Sequence, residues 1–281
     1  MKPFVKWAGG KGRLAPRLSL LLPPVYNRYI EPFCGGAALY FYLRPEQAIL
    51  NDKNRALINC YNQIKYRVGY VIKYLNQFTK EHNQSESSEV FYYKKRAYFN
   101  YVMEKTKLKG SLTSYDAAVM IYLNKAGFNG MYRENSKGRY NIPFSKRKTI
   151  NLFDEKNLRE CSQQLQLTEI QCGDYLDVLE QALEGDFVFI DSPYFNTFNT
   201  YQAGGFLEKD HEMIARRFEE LTDRGVYCML TNSDEEYIQN LYNNERYYTT
   251  KILVKRYISC DGNKKDVNEL IVTNYPIRYD V

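Results

Sequence analysis

The chain has 281 residues, 44% of them apolar and 26% charged, which is the composition of a globular protein and excludes a disordered or fibrous one. No apolar run approaches the roughly 18 residues of a membrane span, and the start Met1-Lys2-Pro3-Phe4 has no signal-peptide core. A cytoplasmic protein with no membrane partner is therefore expected. The net charge of +6 suits a phosphate-rich partner without requiring one.

Taken in chain order, Arg28 to Phe33 reads as a short strand running into Gly35-Gly36. A helix follows through Leu39 to Leu43, then a strand at Ala48 to Leu50 that ends at Asn51-Asp52. From Asn54 a helix carries Leu57, Ile58, Tyr61 and Ile64 at helical spacing. The stretch from about 70 to 150 has another texture. It is rich in Tyr, Lys, Asn and Ser, holds two or three amphipathic helices, and ends in a glycine-rich hairpin-like piece from Asn129 to Phe144. Gln84 to Ser88 reads as a surface loop. Basic clusters (Lys94-Lys95-Arg96, Lys105 to Lys109, Lys146-Arg147-Lys148) and many of the 27 tyrosines fall in this middle third, a mixture that suits stacking on bases and contacting a phosphate backbone.

Strand and helix alternation resumes with a strand at Leu167 to Gln171 and a helix near Tyr175 to Leu183. Asp186 to Ile190 follows, a near-continuous apolar run that suits a strand buried on both faces. A helix from Lys209 to Leu221 is stopped by Arg224-Gly225, and Val226 to Leu230 is another buried strand. Strands around Lys251 to Val254 and Glu269 to Thr273 close the chain. This alternation predicts an α/β, doubly wound, Rossmann-like sheet with a mixed edge. Residues 1–66 and 150–281 would form it, with 67–149 as an inserted helical and hairpin module.

Six cysteines lie far apart without a Cys-x-x-Cys pair, and there are two histidines. Neither a metal site nor a disulfide framework is expected, and the thiols are expected to be buried and free.

Asp191-Ser192-Pro193-Tyr194 directly follows the buried strand, where open α/β sheets place their ligand sites. Pro193 fixes its own φ and drives Ser192 into an extended conformation, so one carboxylate, one carbonyl and one aromatic face stand in a fixed relation. Methylation of an exocyclic amino group needs those three features. The amino lone pair is delocalised into the ring. Two acceptors, the Asp191 carboxylate and the Ser192 carbonyl, could stabilise the positive charge that grows as the nitrogen becomes tetrahedral, and Tyr194 could stack on a base outside the duplex. Alone, the tetrapeptide reads more readily as a strand-ending turn. Glu31 to Gly36 at the first strand end, Asp52 at the second and Asp174 at the third add carboxylates beside a glycine turn. That makes a nucleoside-binding edge without a P-loop lysine motif, which fits S-adenosylmethionine better than ATP.

Phe4 to Lys11, Glu31 to Leu39, Phe128 to Asn135, Arg139 to Phe144, Asp191 to Tyr194, Arg256 to Gly262 and Asn268 to Tyr275 resemble, in order, the motifs of the Dam-type DNA adenine N6-methyltransferases of the alpha group. The resemblance spans nearly the whole chain. It implies S-adenosyl-L-methionine as cofactor and double-stranded DNA as partner, with a flipped adenine in GATC as the target and a monomer in solution. It places Trp7, Lys11, Asp52 and Asp174 at the cofactor over the Gly35-Gly36 turn, with Glu31, Phe33 and Asp191 in the same set. Lys6 would reach the first guanine, Phe128 and Asn129 would wedge into the stack, and Met131, Arg133, Asn135 and Pro143 would complete the DNA contacts. An Arg133 bond to guanine would carry direct readout.

Five positions depart from the family pattern. Ser192 replaces the first proline of the usual Asp-Pro-Pro-Tyr, keeping the carbonyl and losing a ring. Ala37 stands where a third glycine is common, Ser145-Lys146 replaces a Gly-Arg, and Met131 replaces leucine. The rival readings are transfer to RNA adenine, cytosine N4 or protein glutamine, and a non-catalytic DNA-binding protein that kept the fold. A cytosine C5 enzyme lacks its Pro-Cys nucleophile here.

Overall fold

Alternate residues of the apolar run near 190 enter opposite faces of one sheet: Phe187 and Phe189 join one core, Val188 and Ile190 the other. The computed structural model describes residues 1–106, 111–195, 206–256 and 265–277. Its strands are β1 (Tyr29–Glu31), β2 (Ala48–Asn51), β3 (Thr168–Gln171), β4 (Phe187–Ile190), β5 (Tyr227–Ser233), β6 (Tyr248–Arg256) and β7 (Lys265–Thr273). They lie in the order β3-β2-β1-β4-β5-β7-β6. Neighbours within β1 to β5 run parallel, and β7 runs antiparallel to both β5 and β6, which makes the expected mixed edge. Chain direction across the sheet reverses between β1 and β4. That is the switch point at which an α/β sheet opens a crevice beyond its strand ends.

Helices cover both faces. Helices α7 (Tyr175–Glu180), α8 (Glu208–Asp223) and α9 (Glu236–Leu241) contribute Val178, Ile214, Phe218 and Ile238 to one core. The larger core takes in α1 (Ala15–Leu18), α2 (Ala38–Leu43), α3 (Arg55–Gln84) and α6 (Glu155–Leu165). Arg224 ends α8 and Gly225 follows at φ +71°, the stop read from the sequence.

Asn54 starts α3 by accepting a hydrogen bond from the Leu57 amide at 3.0 Å. The helix then runs thirty residues with a kink at Arg67, so the chain leaves the sheet layer inside a helix. Three helices stand in the middle third: the second half of α3, α4 (Ser88–Lys105) and α5 (Ser114–Ala126). Helix α5 is not amphipathic as expected. Ala117 to Asn124 are buried without a break, so α5 is the axis of the helical layer. The hairpin is held by bridges between Gly127 and Phe144 and between Glu134 and Tyr140.

The thiols of Cys34, Cys60, Cys161 and Cys228 are buried and free, and Cys260 lies outside the described residues. Cys172 corrects the expectation: it follows β3, the edge strand, and is exposed. Among the described residues no helix is long and apolar enough to cross a membrane, and no cluster of His, Cys, Asp and Glu could hold a metal ion.

Candidate active site

The corner after β4 sits at the switch point and is tied to residues from three distant segments. Asp191 Oδ1 accepts hydrogen bonds from Lys11 Nζ at 2.5 Å and from Thr231 Oγ1 on β5 at 2.7 Å. Lys11 Nζ also donates to the Gly9 carbonyl at 2.8 Å, lies 3.4 Å from Glu269 Oε1 and stands 4.7 Å from the centre of the Tyr194 ring. The Tyr194 hydroxyl donates to Glu269 Oε1. Burial pulls the Lys11 ammonium down, but the neighbouring carboxylates of Asp191 and Glu269 outweigh it and hold the ammonium well above the ordinary lysine range. The ammonium of Lys11, expected at the cofactor, is thus engaged with Asp191.

Ser192 is buried, and its hydroxyl has no hydrogen-bond partner among the described residues. Glu31, at the end of β1, is buried and accepts a bond from the Tyr29 hydroxyl at 2.9 Å. Burial, against the relief of that bond and with the charge of Asp191 added, holds its carboxyl well above the usual carboxylate range.

The glycine turn beside this corner is built for close approach. Gly35 takes φ +47° and donates its amide to Asp52 Oδ2 at 3.0 Å, while Asp52 Oδ1 accepts the Asn54 amide at 2.8 Å. A Cβ at Gly35 would stand 2.6 Å from the Trp7 ring, so only glycine lets the indole lie against this turn. Trp7 also stacks on Tyr132, with centroids 5.3 Å apart and planes at 25°. Phe33 packs on Tyr175 at 4.8 Å, and exposed Asp174 caps α7 by accepting the Leu176 amide at 3.0 Å. Trp7, Lys11, Glu31, Phe33, Gly35, Gly36, Asp52, Asp174 and the corner from Asp191 to Tyr194 all line one cleft of about 1870 Å³.

None of the expected DNA-contact residues lines that cleft. The hairpin explains why. Extended backbone alternates its side chains, so Tyr132 and Glu134 enter the cleft while Met131 and Arg133 do not. Arg133 Nε donates to Asn141 Oδ1 at 2.8 Å. Phe128 and Asn129 are exposed, Asn129 in the left-handed region, and exposed Pro143 accepts the Phe128 amide at 2.9 Å. Asn135 shapes the tip, its Oδ1 accepting the amides of Lys137 at 3.0 Å and Arg139 at 3.1 Å. Lys6 is exposed but its backbone is clamped. Asn124 on α5 accepts its amide and donates to its carbonyl, each at 2.8 Å, and donates to the Gly130 carbonyl at 2.8 Å. The N-terminal segment and the hairpin are thereby fixed to each other.

Sequence reasoning passed over Asn124, Tyr132, Thr231 and Glu269. Two of them carried a signal. Asn124 is a polar residue closing the apolar run Ala117 to Leu123, and Glu269 is a carboxylate heading the run Leu270-Ile271-Val272.

The model of the family described as D12 class N6 adenine-specific DNA methyltransferase matches residues 7–258. The chain is 35% identical over 295 residues to the type II methyltransferase M.MjaIII of Methanocaldococcus jannaschii, covering 98% of this chain and 99% of that protein. It is 33% identical over 284 residues to the type II methyltransferase M1.LlaDCHI of Lactococcus lactis subsp. cremoris, covering 98% and 96%. The DNA adenine methylase of Haemophilus influenzae is 31% identical over 278 residues, covering 96% and 92%. With its carboxylate corner at the switch point of a mixed seven-stranded sheet, the chain belongs to the D12 class and is an N6 adenine-specific DNA methyltransferase.

Proposed function

We propose that the protein methylates N6 of an adenine turned out of duplex DNA, within GATC, with S-adenosylmethionine as donor. The observation that carries this reading is the Asp191 carboxylate held by Lys11 and Thr231 beside Tyr194, lining the cleft. Asp191 and the Ser192 carbonyl accept the N6 hydrogens and stabilise charge there, a preorganised effect because the carboxylate is already fixed. Tyr194 stacks on the extruded base.

The strand ends fit a nucleoside cofactor. Asp52 and Asp174 offer acceptors for hydroxyl or amino groups, Phe33 and Tyr175 offer a ring surface, and the Gly35 turn against Trp7 allows close approach. S-adenosylmethionine bound there would supply an electrophilic sulfonium methyl. The module from 67 to 149 reads the target: Arg133, Met131, Asn135 and Pro143 contact bases or backbone, Phe128 and Asn129 enter the stack, and Lys6 reaches the first guanine. The clamp of Asn124 supports this division, because it joins Lys6 to the hairpin that carries the others.

The test is incubation with labelled donor and duplexes that contain or lack GATC. Label on adenine N6 of GATC alone supports the proposal. Label on adenines outside GATC overturns the target sequence, and tight DNA binding without transfer to any duplex overturns the catalytic reading.

A further inference from the structure

A carboxylate inside a sheet is costly unless its charge is met. Glu269 is 5% exposed on β7, between Ser233 of β5 and Ile252 of β6 in register. Among the described residues its carboxylate meets two groups, the Tyr194 hydroxyl and the Lys11 ammonium, both in the candidate site. Lys11 sits over the Tyr194 ring at 4.7 Å and binds Asp191 at 2.5 Å. A closed circuit results, running Asp191, Lys11, Glu269, Tyr194 and back through the chain to Asp191.

We propose that Glu269 is a positioning residue for methyl transfer, fixing the orientation of the Tyr194 ring through its hydroxyl while sharing Lys11 with Asp191. The inference rests on Tyr194 being the residue that stacks on the target base. A phenol ring swings about its χ1 and χ2 bonds. Anchoring the hydroxyl at its far end removes the largest arc of that motion, and the ammonium over its face restrains the tilt. Burial, opposed by the charge of Lys11 and aided by those of Asp191 and Glu269, holds the Tyr194 phenol well above its ordinary range, so it remains the donor in this bond. Glu269 touches no reacting atom. Its effect passes through Tyr194, and misplacement of a stacking surface lowers turnover more than duplex binding.

The test compares the wild type with E269A, E269Q, Y194F and the double variant E269A/Y194F, with steady-state kcat and KM for an adenine-containing duplex. E269A is expected to lower kcat about 10- to 100-fold, with KM for the duplex changed less than about twofold. E269Q is near-isosteric and its amide oxygen still accepts the tyrosine proton, so it should recover most of the loss. The double variant should be no slower than the slower single one, since both changes sever the same bond. Near wild-type kcat in E269A, failure of glutamine to rescue, or a double loss equal to the product of the single losses overturns the role of Glu269. A wild-type protein that transfers no methyl to any adenine duplex overturns the underlying reading instead. Melting of each variant, followed by circular dichroism, separates turnover loss from unfolding.

Discussion

Lys11 and Asp191 stand 180 positions apart in the chain and meet at 2.5 Å, the ammonium from the N-terminal segment against the carboxylate after β4. Their side chains are 4% and 17% exposed, so the pair is shielded from solvent. Replacing Lys11 by methionine keeps most of the volume and leaves a buried anion without its cation. Loss of one partner of a buried pair costs about 3–5 kcal/mol. The Lys11→Met variant should therefore melt well below the wild type in a thermal scan, and its single-turnover methyl transfer should fall steeply.

Ser192 gives a prediction of the opposite sign. Its hydroxyl is buried with no partner among the described residues, and only the backbone carbonyl is assigned to the chemistry. Ser192→Ala removes an unsatisfied polar group and should leave kcat within about twofold while raising stability by up to about 1 kcal/mol. Ser192→Pro should likewise show little loss. A large drop in kcat for alanine would mean that the side chain takes part.

Ala37 precedes α2 at φ 49° and ψ 46°, left-handed and fully buried in the larger core. A Cβ in that conformation costs roughly 1–2 kcal/mol, partly offset by the greater entropy of an unfolded glycine. Ala37→Gly should raise the denaturant midpoint by the equivalent of up to about 1 kcal/mol, with the slope of the transition unchanged.

Acid should weaken the fold through its two histidines. His211 is held down to about 4 by burial, against a small opposing pull from Asp210. His82 is also lowered by burial, against its bond to the Arg147 carbonyl at 3.0 Å, while its other ring nitrogen meets the Tyr122 hydroxyl at 2.8 Å. A depressed folded-state value means that the unfolded chain binds more protons between the two values. The stability from the neutral rings is complete above about pH 6.5 and is lost as pH falls toward 4. Equilibrium unfolding across that window should show the loss, and His211→Phe should flatten part of it.

Asn124 makes three bonds of 2.8 Å, two to Lys6 and one to Gly130. Asn124→Leu should cost about 3 kcal/mol, about 1 kcal/mol for each lost bond. If the target is GATC as proposed, it should also lower the preference for GATC over altered duplexes more than it lowers the rate on GATC, because it unties the N-terminal segment from the hairpin.

The sheet was legible because local periodicity writes it out. The 186–190 run, the stop at Arg224-Gly225 and the antiparallel closing strands all appear in the structure close to where alternation put them. The acidic strand ends and the glycine turn do line one cleft. Three things were hidden. Helix α6 is strongly polar, and its period is marked by Leu158, Cys161 and Leu165 alone. The continuity of α3 through Arg67 depends on packing against α5, not on a breaker residue. Thr231 reaches the corner through the register of β5 with β4, where Leu230 pairs with Ile190, and Glu269 through that of β7 with β5, where it pairs with Ser233. Such a long-range pairing leaves no periodic trace in a single sequence.

Trp7 is the only tryptophan in the 281 residues, and it lies between the Gly35 turn and the Tyr132 ring of the hairpin. Light absorbed near 295 nm is therefore emitted from one indole alone. That indole lines the cleft and stacks on the hairpin. The protein carries its own optical reporter where cleft and hairpin meet, and no dye need be attached to watch that contact respond.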